Sequence, residues 1–278
     1  MRRVMVSTFL FLVLGGCGDD SGPTGPSTPA TPTVTGLTVS GLDAIRTGFV
    51  SNYTATATLS NGTTQGVSPT WTSSDPSVAT VDGTGRLSGT SHGSITLSAS
   101  YQGANGSKMV NVVNNYGGAW EGTYLLRACD QSGVFIDAEW CEGLGGVGSI
   151  LPIMLAFSQS GDDQRQINGS ITLGTGITGN ITGNVTGNGR LVLQGTFTVT
   201  SEGVTFEFAF GGWDTRLVSP GQMAGRWAQS QRAVGVPGNA YQEVEIVTMI
   251  QTSTGVTVRP APSHYTLSWS EVFEAIRH

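Results

Sequence analysis

The sequence predicts an all-β protein. A β-sandwich over residues 34–113 is followed, over 117–278, by an antiparallel β-barrel or curved sheet that ends in a short C-terminal helix. Three observations carry this. Apolar and polar residues alternate at the strand period through the first region, in runs of about five residues spaced about 8–12 apart. The second region continues the alternation in longer runs, with no helical period before Ser268. The composition is that of a turn-rich exported chain: 41 glycines, a single lysine (Lys108) and only 12% charged residues.

The N-terminus reads Met1-Arg2-Arg3, an apolar run from Val4 to Leu14, then Gly15-Gly16-Cys17. A basic start, a short apolar stretch and small residues at the cut describe a secretory signal over 1–16. A membrane span needs about 18 or more apolar residues. Leu14-Gly15-Gly16-Cys17 resembles a bacterial lipobox. The resemblance implies acylation of the Cys17 thiol, cleavage before it, and a membrane-anchored lipoprotein of the cell envelope, at the outer membrane or cell surface. Each buried lipid CH₂ would contribute about 0.8 kcal/mol to such an anchor. Residues 17–33 then form a tether, because four prolines among small polar residues cannot bury a core.

Between Val34 and Val113 the strands are short. Thr54–Leu59 precedes Asn61-Gly62, a strong hairpin signal, and Asn105-Gly106 is read as a second turn. The phrase Trp71-Thr72-Ser73-Ser74-Asp75-Pro76-Ser77-Val78-Ala79-Thr80-Val81-Asp82, followed by Gly85, Leu87 and Gly93-Ser94-Ile95-Thr96-Leu97, resembles the bacterial Ig-like group 2 domain. That resemblance implies an Ig-like sandwich that serves as a stalk or adhesion module, with Trp71 in the core. Trp71 is expected to pack between Leu59, Val81 and Leu97. The glycine-rich junction at Asn114–Gly118 is expected to insulate this module from the next.

The second region opens with the strand Ala119–Leu126. Further strands are expected at Ile150–Ser158, Ile167–Leu173, Ile177–Thr186, Arg190–Val199, Val204–Phe210, Met223–Ala228 and Glu243–Gln251. Turns are expected at Gly161-Asp162, Asn168-Gly169, Asn188-Gly189 and Pro237-Gly238. Consecutive antiparallel strands close most naturally as an up-and-down barrel, which removes exposed edges. Ser268-Trp269-Ser270-Glu271 forms a capping box before the apolar Val272–Ile276 helix. In the repeat from Ile177 to Asn188, Ile177, Gly179, Ile181, Gly183 and Val185 share the face expected inward, with glycine permitting a bent wall. Thr178, Asn180, Thr182, Asn184 and Thr186 face outward, as a solvated surface or as a site for glycans or ice. Gly118-Ala119-Trp120 resembles the Gly-x-Trp signature of lipocalin-like barrels, which implies a barrel whose cavity holds an apolar ligand. Trp120 and Trp227, in the second such tripeptide Gly225-Arg226-Trp227, are expected at barrel ends.

Cys129 and Cys141 remain as an even pair, read as a disulfide that clips a loop or hairpin. Two cysteines without a nearby histidine fall short of zinc's four ligands, and His92, His264 and His278 are scattered. Glu139 with Glu142, and Glu243 with Glu245, are the only paired carboxylates with acid–base potential. The second pair alternates to one strand face, read as solvated, and Asp162-Asp163 sits in a turn. No nucleophile elbow, zincin motif or phosphate loop occurs. No enzyme, no cofactor and no metal site is expected. A net charge of −6 without a basic stripe argues against nucleic acid. The expectation is a non-enzymatic surface lipoprotein whose Ig-like spacer presents the C-terminal domain to a surface glycan or protein. A carrier of a small apolar ligand is the alternative, and an enzyme acting on envelope glycans a weaker one.

Overall fold

The computed structural model describes residues 31–174, 176–201 and 203–254. The expected signal segment, Cys17, the tether up to residue 30, His264, His278 and the C-terminal helix lie outside the described residues. What is described is a sandwich of three small sheets followed by a closed eight-stranded barrel.

In the sandwich, β1 (Val34–Ser40), β4 (Thr54–Leu59) and β5 (Thr64–Val67) form one sheet. A second runs β2 (Ala44–Arg46), β10 (Ala104–Val113), β9 (Gly93–Tyr101), β6 (Thr70–Ser73), with β2 and β10 parallel. A third pairs β3 (Val50–Asn52), β8 (Arg86–Gly89) and β7 (Ala79–Val81). The alternating residues of these strands bury Val39, Ile45, Ala55, Trp71, Leu87, Ile95, Leu97 and Val110 in one core. Val81 and Leu97 join Trp71 there, as expected. Leu59 does not: it sits at the hairpin end of β4, only partly buried and outside that cluster, with its N–H donating to the carbonyl of Thr63. Gly85 has φ +84°, and a Cβ there would lie 2.5 Å from the Tyr53 carbonyl and 3.1 Å from the Trp71 ring, so both conformation and space require glycine.

Two aspartates hold the turns around this core. Asp75 accepts from the Ser77 N–H and hydroxyl at 2.9 and 2.6 Å. Asp82 accepts from the Thr84 N–H and hydroxyl and from the Arg86 N–H at 2.9, 2.7 and 3.1 Å. Hydrogen bonds from Ser77 and Thr84 respectively hold both carboxyls below the usual carboxylate range.

The expected turn at Asn105-Gly106 lies inside β10. The chain reverses instead at Gln102-Gly103, where φ is +48° and +84°, as a tight two-residue hairpin demands. Gly106 serves a close approach: a Cβ there would meet the Leu37 carbonyl at 2.4 Å.

The barrel strands are β11 (Gly118–Gln131), β12 (Ile150–Ser160), β13 (Gln166–Leu173), β14 (Ile177–Val185), β15 (Leu191–Ser201), β16 (Val204–Ser219), β17 (Gln222–Ala233) and β18 (Ala240–Ser253). Each pairs antiparallel with its neighbour, and β11 pairs β18 to close the ring. The expected turn at Asn168-Gly169 is also strand; a Cβ on Gly169 would lie 2.0 Å from the Ala156 carbonyl of the neighbouring strand. Strands β16 and β17 run well past the expected Phe210 and Ala228. That extension places Trp227 in mid-strand, stacked on Trp213 at 4.3 Å and near Tyr124 at 5.4 Å, so it fills the barrel's middle rather than an end.

The inward face of the 177–185 repeat is as expected, with Gly179, Ile181 and Val185 buried. The glycine has a steric reason beyond bending: a Cβ on Gly179 would lie 1.8 Å from the Phe197 ring. Phe197 stacks on Phe208 at 5.3 Å and Phe210 at 5.6 Å.

Candidate functional site

The two units meet through the junction that was expected to insulate them. Residues 115–120 are all buried. Ala44, Val113 and Tyr116 belong to the same apolar cluster as the barrel's Trp120, Phe157 and Leu191. The Tyr116 hydroxyl donates to the Gly189 carbonyl at 2.8 Å and accepts from the Leu217 N–H at 3.2 Å, and both partners lie at barrel hairpins. Burial pushes this phenol up to about 12. Asn114 Nδ2 also donates to the Gly189 carbonyl at 2.8 Å, and Gln159 Oε1 accepts from the Tyr116 N–H at 2.8 Å. Trp120 seals this end as expected, its indole N–H donating to the Tyr116 carbonyl at 2.8 Å.

Beside this joint lies an open cleft of about 590 Å³. The sandwich contributes Thr47, Gly48 and Phe49 from the β2–β3 turn and Gly89–His92 from the β8–β9 turn; the barrel contributes the 217–221 hairpin, Gln251 and Thr254. Arg46 borders it. Its guanidinium carbon sits 4.1 Å from the centre of the Phe49 ring, and its Nη1 is 3.5 Å from Asn115 Oδ1. Among the described residues Arg46, Arg86, Arg216 and Arg226 form no ion pair, whereas Lys108, Arg127, Arg165, Arg190 and Arg232 each do. Partial burial pulls the Arg46 pKa down, as desolvation of an uncompensated cation must. His92 is one of the lining residues, and its Nε2 lies 3.1 Å from the Gly187 carbonyl.

The opposite barrel end carries a cap. Two single-turn helices, α1 (Val134–Asp137) and α2 (Trp140–Gly143), stand where a loop or hairpin was expected; one turn is too short to leave a helical period in sequence. The disulfide joins Cys129 at the end of β11 to Cys141 in α2, with Cα atoms 5.9 Å apart. Gln131 Oε1 accepts from the Cys141 N–H at 2.9 Å. Phe135 and Trp140 plug the interior, with Phe135 at 5.2 Å from Trp140 and 6.4 Å from Phe206. Beneath them a chain of amides has a fixed sense. The Trp227 indole can only donate, so it takes Gln229 Oε1 at 3.3 Å and turns Gln229 Nε2 toward Gln242 Oε1. Gln242 Nε2 and Gln231 Oε1 are left buried without partners, in side chains only 1% and 2% exposed.

The paired carboxylates form no site. Glu139 and Glu142 are exposed on the cap, Glu243 is exposed on the outer barrel wall, and Glu245 pairs with Arg127 at 3.1 Å. Asp163 is spent on its own turn, accepting from the Arg165 N–H at 3.1 Å. Among the described residues no cluster of three metal-ligating side chains occurs, and no helix is long and apolar enough to cross a membrane. The cleft residues His92 and Asn114, and Arg46 and Tyr116 beside them, were missed from sequence, since nothing local marks side chains that meet across tens of residues.

No curated protein matches this chain. Among solved structures, surface layer protein SbsC domains 4–9 aligns at 15% identity over 77% of this chain and 31% of that one, with a TM-score of 0.27. The same S-layer protein's domains 5–6 align at 15% identity over 80% of this chain and all of that one, with a TM-score of 0.26. The chain thus spans about a third of the longer structure (31%). At the level of families, residues 45–112 match the bacterial Ig-like domain (group 2), which is the sandwich that forms one wall of the cleft.

Proposed function

We propose that this is an exported, non-enzymatic protein of the cell envelope, anchored through a lipidated Cys17, in which the Ig-like module and the barrel act as one stiff arm that presents its surface to a partner. The observation that carries the reading is the buried joint at Tyr116, which ties sandwich and barrel together by side-chain hydrogen bonds and a shared apolar cluster. A flexible tether would have left those residues exposed. The Ig-like match at 45–112 supports a surface setting. The packed rings of Trp213, Trp227, Phe206 and Phe208 weigh against an apolar-ligand carrier, because they fill the space such a ligand would take. The dispersed carboxylates weigh against acid–base catalysis.

Cys17→Ser should move the protein from the detergent-extracted membrane fraction to the soluble one, while intact cells carrying the parent chain should lose the barrel to added protease. If Cys17→Ser stays with the membranes, or if the barrel is shielded in intact cells, the reading fails.

A further inference from the structure

We propose that the C-terminal segment, residues 255–278, folds back onto the cleft between the sandwich and the barrel and lays the apolar stripe of Trp269, Val272, Phe273 and Ile276 over Phe49, Leu217, Val218 and Pro220. The path of the chain leads there. Thr254, the last residue before this segment, is itself one of the cleft's lining residues. The 13 residues between Thr254 and Ser268 span up to about 45 Å when extended, more than a return to the same cleft requires.

The sequence of the segment calls for a surface to pack on. Ser268 and Glu271 cap a short helical pattern in which Trp269, Val272, Phe273 and Ile276 recur at i, i+3, i+4 and i+7, and so share one face. A helix of about ten residues is marginal in water on propensity alone and is held by burying such a face. Glu271 and Glu274 fall on the other side.

The cleft suits that face in size, polarity and backbone. Its volume, about 590 Å³, falls in the range that encloses small-molecule ligands, so large side chains can enter it. No lysine, arginine, aspartate or glutamate is among its lining residues, and Val218 stands 56% exposed on its barrel wall. The amides of Gly48, Gly89, Thr90, Ser91 and Gln251 are already engaged, so these walls offer little to an added strand. A helix, whose backbone bonds are internal, asks for none of them.

Two other occupants fit less well. A membrane surface favours a helix with a polar face rich in lysine and arginine, whereas this one sets Glu271 and Glu274 against Arg277 alone. A second copy would compete with a tethered segment whose effective concentration is about millimolar. Because sandwich and barrel both line the cleft, a seated segment also braces the joint.

Hydrogen exchange of the full chain, read by mass spectrometry, tests this. Amides of residues 270–278 should exchange at least about tenfold more slowly than in a free peptide of residues 255–278. Val218→Asp should bring them to within about twofold of that peptide, and Val234→Asp, at the cap end of the barrel, should leave them protected. Phe273→Ser should also speed exchange in the 217–221 hairpin, which a loss of helix propensity alone would not do. Thermal melts show whether each variant is folded. An unprotected segment in the parent chain overturns the proposal, as does protection that survives Val218→Asp in a folded protein. Protection that falls on dilution would mean a second copy, and protection that appears only with phosphatidylglycerol vesicles would mean a membrane; either overturns it too. None of these outcomes bears on fractionation of Cys17→Ser, so failure here leaves the anchoring question separate.

Discussion

Tyr116→Phe isolates the joint between the two units. The substitution keeps the ring, and with it the packing on Trp120 at 6.4 Å, and deletes only the hydroxyl. Two hydrogen bonds go: the one to the Gly189 carbonyl at 2.8 Å and the one from the Leu217 N–H at 3.2 Å. The losses are unequal. Gly189 keeps the amide of Asn114 at 2.8 Å, so its carbonyl stays served and about 1 kcal/mol is lost there. The Leu217 N–H is left without a partner in a partly buried site, which costs about 1–2 kcal/mol. The total, about 2–3 kcal/mol, corresponds to a fall in Tm of about 4–10 °C for a unit of this size. Differential scanning calorimetry of the full chain measures it. A Tm within about a degree of the parent, on the same scale, would refute the claim that this hydroxyl couples sandwich to barrel.

Other expectations follow from single features. Cys129→Ala with Cys141→Ala should cost about 3 kcal/mol by the chain-entropy account, seen as a lower urea midpoint; an unchanged midpoint would mean the cap contributes nothing to the barrel. Gln231→Leu removes a carbonyl buried without a partner and should raise Tm by about 2–6 °C, and a fall would show that the oxygen is satisfied by a bound water. Burial raises the hydroxyls of Tyr53 and Tyr116 to about 12, mainly by desolvation, so their contribution to stability is complete below the ordinary phenol value near 10 and is lost as pH rises through 12. A urea midpoint flat from about pH 9 to 12 would contradict that sign.

How much of this was legible in the sequence depended on how local the cause was. The eight barrel strands and their order could be read because alternation of period two survives along each strand, as in Ile177–Val185. The core place of Trp71 was legible through the resemblance of its phrase to the Ig-like domain. Two Asn-Gly pairs misled because glycine has two uses. At Gly106 and Gly169 it admits a neighbouring carbonyl at strand centre instead of making a turn, and nothing within a few residues distinguishes the cases. The cap was hidden because one-turn helices carry no period. The joint and the cleft were hidden because their partners lie far apart in the chain: Tyr116 meets Leu217 and His92 meets Gly187 only after both units have folded. The junction at Asn114–Gly118 was expected to insulate the units; instead Asn114 donates to the distant Gly189 carbonyl and Asn115 bonds Thr47 and Arg46.

The central claim is that the sandwich and the barrel form one stiff arm. Spin labels at Asn61→Cys, on the β4–β5 turn of the sandwich, and Val234→Cys, at the cap end of the barrel, put that claim directly to measurement by pulsed dipolar spectroscopy. Both sites are exposed and lie outside the joint. A single narrow distance distribution, broadened by Tyr116→Ala, is the predicted result. A broad distribution in the parent chain, unchanged by Tyr116→Ala, would show two units swinging on a tether and would contradict the account.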